Sequence, residues 1–156
     1  MLRLAGDVPG VAVPSVEQPA SGYVLDQQAG FLMRVAMQRH TSIFMSRMIE
    51  GLTQTQFAAL AKLYEVGPCS QNHLGRLIYL DAATIKGVID RLRIRKLVTV
   101  QLNPKDRRRS MVTATKNGYR IANEAMKVAH RITSKTLVPL RPLEQRQIVR
   151  LLRKMI

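Results

Sequence analysis

The sequence is short of the residues that stiffen or arm small proteins. It holds one cysteine, Cys69, and no tryptophan in 156 residues. A lone thiol cannot close an internal disulfide, so a cross-linked secreted scaffold is excluded and nothing points to an oxidising compartment. Acidic residues are scarce, ten Asp and Glu against 25 Lys and Arg, for a net charge of +15. Those carboxylates are scattered, and no G-x-S-x-G or phosphate-loop pattern occurs, so catalysis is not expected. His40, His73, His130 and Cys69 have no zinc spacing, and neither a metal nor a cofactor is expected. No run approaches the roughly 18 apolar residues of a membrane span. Asp7 and Pro9 cut the first apolar stretch too short for a signal peptide. A cytoplasmic protein is the expectation, and 46 % hydrophobic residues suffice for the core of one domain with arms.

What is present is charge of one sign in one place. Residues 1–80 hold six basic and five acidic groups, whereas residues 81–156 hold nineteen basic and five acidic, a net of +14. Such an excess repels itself in the compact state, so folding does not explain it. It points to a polyanionic partner, with nucleic acid ahead of an anionic membrane surface.

Residues 1–24, with Pro9, Pro14 and Pro19, read as a flexible arm. Leu25 to about Met48 is a helix with an apolar stripe through Phe31, Leu32, Val35, Ile43 and Phe44, closed by Gly51. Thr53 and Gln56 form a capping box for the next helix, with Leu52 stapled onto Phe57 and a stop at Gly67-Pro68. Ser70 caps a short helix, and Asp81 caps one running to about Arg95 after the tight join Tyr79-Leu80-Asp81. Leu97–Leu102 and Ser110–Ala114 are strands around the turn Asn103-Pro104-Lys105-Asp106. Thr115 caps a long helix to about Leu137, and a last helix covers Leu143 to Met155 beyond Pro139 and Pro142.

Two short helices with a tight join, then a basic hairpin, make a winged helix-turn-helix. The expected fold is mostly α with a small β-hairpin wing, and residues 51–115 are the DNA-binding lobe. The segments 25–50 and 116–156 carry apolar stripes that this lobe cannot cover, so they are expected to be dimerisation helices of a homodimer. The second helix would enter the major groove with Ala82, Ala83, Thr84, Lys86 and Gly87 toward the bases. Lys105, Arg107, Arg108 and Arg109 at the hairpin tip would suit a narrow minor groove. Gln71 and His73 are either phosphate contacts or ordinary surface residues. A basic architectural DNA- or RNA-binding protein is the rival reading, although three Phe and four Tyr scarcely supply stacking platforms.

The same residues carry a resemblance. Leu52-Thr53…Gln56…Ala59-Leu60, Leu74…Leu77, Thr84…Val88…Arg91-Leu92…Leu97-Val98 and Asp106-Arg107-Arg108 with Thr115…Gly118 resemble the multiple-antibiotic-resistance regulator (MarR) family. The resemblance implies a dimeric regulator of a pseudo-palindromic operator, commonly a repressor. It makes Arg108 the minor-groove arginine and has Asp106 support the wing by pairing with an arginine such as Arg91. Two positions depart from the pattern. Ala114 replaces a leucine, and Lys96 stands where glycine usually ends the recognition helix, so a left-handed residue there would cost roughly 1 kcal/mol.

Repressors of this family are often released by an aromatic acid, and Gly30-Phe31-Leu32-Met33-Arg34…Gln38-Arg39-His40-Thr41 is also similar to its repressors of nicotinate-type catabolism. Met33, Met37, His40 and Phe44 share one helical face. With Arg34 or Arg39 for charge, and Tyr64 nearby, they are the candidate site for a small aromatic carboxylate effector. The other reading makes His40 a dimer-interface histidine satisfied by the protein itself. Cys69 is either a redox-sensing thiolate at a helix N-terminus or a structural thiol.

Overall fold

Capping chemistry sets where the helices begin. The structure, a computed structural model, describes residues 22–103 and 106–156, with the backbone alone at 103 and 106–109. The expected arm lies mostly outside the described residues, as does Lys105. A 3₁₀ turn at Leu25–Gln27 leads into α1, Ala29–Arg47. α1 stops short of Gly51 and leaves through a second 3₁₀ turn, Ile49–Gly51, in which Glu50 and Gly51 both take left-handed backbone (φ 56° and 57°). The guanidinium of Arg95 donates to the Glu50 carbonyl oxygen at 2.6 Å and holds this corner.

α2, Gln54–Val66, starts on the expected capping box. The Thr53 hydroxyl accepts the Gln56 N–H at 3.2 Å, and Gln56 Oε1 accepts the Thr53 N–H at 3.1 Å. Leu52 is buried and Phe57 packs on the same core, as the staple requires. α2 gives way at Gly67 to β1, Cys69–Ser70, a strand that local pattern did not announce. β1 lies antiparallel to a distant strand, Cys69 opposite Val112 and Ser70 opposite Met111.

Ser70 caps α3, Gln71–Leu77, and Asp81 caps α4, Ala82–Ile94. The join between them turns at Tyr79, which is left-handed at φ 57°. α3 and α4 approach closely because residue 75 is glycine; a Cβ there would stand 3.1 Å from both Ile85 Cγ2 and the Leu80 carbonyl oxygen. β2, Val98–Asn103, and β3, Asp106–Ala114, form the hairpin, and the sheet order among the described residues is β1-β3-β2. β3 begins earlier than the sequence suggests, with Asp106 already paired to Asn103. Arg107, Arg108 and Arg109 therefore lie on strand backbone rather than in the turn; the turn is shorter because the ladder runs through to Asn103.

α5, Lys116–Leu137, starts at Thr115, and α6, Pro142–Arg153, starts at Pro142 itself. Pro142 was expected only as a breaker. It is the first residue of α6, where its missing N–H costs nothing. Glu144 reaches back to the Arg141 N–H at 2.8 Å. The Gln145 amide donates to the Leu137 and Leu140 carbonyls at 3.2 and 2.9 Å, which ties α6 to the end of α5.

By its contacts the chain divides within α1 into residues 1–35 and 36–156. The core lies in the second part. Phe44 of α1, Leu60 and Leu63 of α2, Leu74 of α3, Ile85, Ile89 and Leu92 of α4, Val98 and Val112 of the sheet and Ile121 and Ile132 of α5 are all buried. Burying such a side chain contributes about 1.5–3 kcal/mol, so the winged lobe and α5 carry the stability. α6 has no fully buried side chain and leaves Leu143, Leu151 and Leu152 exposed. No helix among the described residues is long and apolar enough to cross a membrane.

Candidate nucleic-acid interface

α4 is amphipathic, with one face packed and the other open to solvent. Ile85, Val88, Ile89 and Leu92 face the core, while Ala82, Ala83, Thr84 and Lys86 are exposed near its N-terminus. The small side chains at 82 and 83 leave the helix backbone free to approach a groove wall. At the cap, Asp81 Oδ1 accepts the Thr84 N–H at 2.8 Å, and Asp81 Oδ2 accepts the Thr84 hydroxyl at 2.7 Å. The backbone bond first, then the hydroxyl bond, holds the Asp81 carboxyl below the ordinary carboxylate range.

Lys86, expected to point toward the bases, is engaged within the helix. Its Nζ lies 2.8 Å from Asp90 Oδ2, and Arg93 lies 3.4 Å from Asp90 Oδ1. The pair is exposed, so it is weak and exchangeable, but it sets the resting direction of Lys86 along the helix. The hydrogen bond from Lys86 is the largest cause of the lowered Asp90 pKa. Gly87 differs from expectation as well: it is half-buried, and the Arg91 guanidinium lies 3.5–3.6 Å from where its Cβ would stand. That surface is covered by Arg91 rather than open to a base.

The wing is fixed to α4 by one joint. α4 gives way to β2 through Lys96, left-handed at φ 57° as its place at a glycine position implied. The Thr115 hydroxyl donates to the Lys96 carbonyl oxygen at 2.9 Å, the Thr115 N–H donates to the Leu97 carbonyl oxygen at 3.0 Å, and the Gly118 N–H donates to the Thr115 hydroxyl oxygen at 3.0 Å. A Cβ on Gly118 would overlap the Leu97 carbonyl oxygen. The Thr-x-x-Gly spacing is thus a clamp that locks the exit of α4 onto the start of α5. The side chains of Asp106, Arg107, Arg108 and Arg109 lie outside the described residues, and with them the expected pairing of Asp106 with Arg91. Of the two helix-turn-helix neighbours, Gln71 is half-buried at the start of α3, and the His73 side chain is exposed while its N–H bonds the Ser70 cap at 3.2 Å.

The candidate effector residues fall into separate settings. In α1, Arg34 lies over the Phe31 ring at 5.2 Å, and Met33 is exposed. Further along, His40 and Phe44 are neighbours with ring centroids 6.3 Å apart, Phe44 meets Phe57 at 6.0 Å, and Met37 is exposed. Tyr64 stands edge-on to Tyr119 of α5 at 5.8 Å. Arg39 is turned to the last turn of α5, where its guanidinium donates to the carbonyls of Thr136 and Lys135. His40 Nδ1 lies 2.9 Å from the Thr136 hydroxyl, which itself donates to the Ile132 carbonyl at 2.9 Å. Since that hydroxyl proton is spent, the His40–Thr136 bond requires Nδ1 to be the donor, leaving Nε2 of the neutral ring as an acceptor. Thr136 has no sequence signal, because it meets His40 from 96 residues away. Cys69 is buried, and burial pushes its thiol pKa up, which disfavours the thiolate a sensor needs.

A helix-turn-helix whose second helix is exposed at its N-terminus, followed by a clamped β-hairpin, defines a winged-helix DNA-binding protein. The MarR family model matches residues 52–110. The transcriptional repressor NicR of Pseudomonas putida is 38 % identical over 135 residues, covering 86 % of this chain and 85 % of its own. A "probable transcriptional regulator" from Pseudomonas aeruginosa superposes with a TM-score of 0.82 at 44 % identity, over 85 % of this chain and all of the other. BpsR of Bordetella bronchiseptica, whose DNA binding is regulated by 6-hydroxynicotinic acid, gives 0.81 at 41 % identity over 85 % and 96 %. The chain belongs to the MarR family of transcriptional regulators.

Proposed function

We propose that this chain is a homodimeric repressor that acts in the cytoplasm, holds a pseudo-palindromic operator with α4 in the major groove and the wing in the minor groove, and is released by a small hydroxylated aromatic carboxylate. One observation carries the DNA reading: the exposed Ala82–Thr84 face of α4 is held in fixed register to the wing by the Thr115–Gly118 clamp. Two recognition helices about 34 Å apart in a dimer would meet successive major grooves. Pairing is supported by the exposed Leu143, Leu151 and Leu152 on α6, which nothing among the described residues buries.

The effector reading rests on the relatives and on His40. NicR is a repressor by name, and 6-hydroxynicotinic acid regulates BpsR. Here the His40–Thr136–Ile132 chain leaves His40 Nε2 as an acceptor, suited to a ring hydroxyl or ring N–H rather than to a carboxylate. Arg39 is already bonded to α5 carbonyls, so a carboxylate would have to displace those bonds to reach it.

The test is competition between the chain's own upstream DNA and bulk DNA at about 150 mM salt, where a specific regulator prefers its site by at least about 10³-fold. Addition of 6-hydroxynicotinic acid should release the complex at lower concentration than nicotinic acid, which lacks the hydroxyl. His40→Ala should keep DNA binding and blunt release. Equal binding to bulk DNA would return the chain to an architectural role, and retained release in His40→Ala would return His40 to a structural one.

A further inference from the structure

At the start of α4, Asp81 does more than cap. An ionised carboxylate can only accept, so in the pair Asp81–Thr84 the hydroxyl must be the donor, and its one proton is directed at Asp81 Oδ2 at 2.7 Å. The second oxygen of Asp81 takes the Thr84 N–H at 2.8 Å, which fixes the carboxylate in place. What Thr84 turns outward is then its methyl group and oxygen lone pairs, with no proton to give. Both residues are exposed, and only the methyl side chains of Ala82 and Ala83 stand between them at the start of α4.

Base edges in the major groove divide by the same property. Adenine N6 and cytosine N4 are amino donors, whereas guanine O6 and thymine O4 are keto acceptors. We propose that Asp81 is a specificity-determining positioning residue: by taking the Thr84 proton it makes Thr84 an acceptor only, so that α4 selects an amino base, adenine or cytosine, over a keto base, guanine or thymine, at one position of each half-site. This rests on α4 being the base-reading element, as argued above. The negative charge of Asp81 works in the same direction, because it repels a keto oxygen and attracts an amino group. The two Thr84 bonds hold the carboxyl below its ordinary range, so near neutral pH it is ionised and the lock is set.

Asp81→Asn reverses the polarity of the lock without removing the cap. Asparagine is an equally good N-cap and still accepts the Thr84 N–H through Oδ1. Its Nδ2 then faces the Thr84 oxygen as a donor, and the hydroxyl proton turns outward. A pool of randomised duplexes, selected by full-length protein and sequenced, reads the result. Wild type should enrich A or C over G or T at one position per half-site. Asp81→Asn should shrink that amino-over-keto preference at least about threefold, one net hydrogen bond's worth, at that position alone. Thr84→Val, which keeps the shape and loses the oxygen, should abolish it at the same position. An Asp81→Asn profile identical to wild type at every position overturns the proposal while leaving the operator reading intact. A wild-type pool with no enriched sequence overturns both, and the two failures are told apart by whether any motif emerges.

Discussion

Gly118 is the residue at which side-chain size and backbone geometry meet most directly. Its Cα sits against the Leu97 carbonyl, and Gly118→Ala forces the exit of α4 and the start of α5 apart. The expected cost is about 1–3 kcal/mol, the range for overpacking, seen as a lower denaturation midpoint together with weaker operator binding. Asp81 gives a pH signature. Its folded pKa is lowered by Thr84, so its stabilising effect is complete above the ordinary carboxyl value of about 3.9 and disappears as pH falls through the folded value. Thermal melts from pH 5 down to pH 2 should fall more steeply for wild type than for Asp81→Asn, whose cap does not titrate. The caps at Thr53, Ser70, Asp81 and Thr115 were legible in the sequence because each bonds a residue three positions on. The partner of His40 was not legible, since Thr136 is brought to it only by the packing of α1 on α5.

At the scale of elements, the helices and the hairpin follow from periodicity and turn chemistry, whereas β1 does not. A two-residue strand has no period, and Cys69–Ser70 is a strand only because β3 passes beside it. The starts of β3 and α6 were displaced for related reasons: pairing with Asn103 extends one, and Pro142 opens the other. Within α4, Lys86 was legible as a candidate but its partner Asp90, one turn on, was not; the two are paired on the solvent side of the helix. Asp90→Asn should release Lys86 toward the phosphates and remove a repelling charge. The expected outcome is tighter binding to any duplex, with a steeper dependence on salt, measured by titration of bulk DNA.

For the whole molecule, charge and uncovered surface lead to the same arrangement. The net +14 of residues 81–156 lies in the half that contains α4, the wing, α5 and α6. Counterion release makes each phosphate-proximal cation worth about 0.9 of a unit in the slope of log affinity against log salt for duplex DNA. Arg108→Ala should therefore flatten the slope by about one unit and weaken binding to all sequences alike, and an unchanged slope would remove Arg108 from the contact set. Exposed leucines on α6 make the companion prediction. Leu151→Lys should shift the molecular mass in solution from dimer to monomer, as light scattering can follow, with operator affinity falling because two half-sites are no longer gripped at once.

The tether from Arg95 to the corner after α1 grips the Glu50 main-chain oxygen at 2.6 Å far more closely than the Glu50 carboxylate, which lies 3.9 Å away. Every amino acid supplies that oxygen, so a change at position 50 loses only the long, exposed ion pair and keeps the main-chain bond. Its left-handed backbone even favours replacement of Glu50 by asparagine or glycine. Position 95 has no such latitude, because only a long, many-pronged donor spans the gap. Divergent copies of this chain should therefore vary freely on one side of the bond and stay arginine on the other.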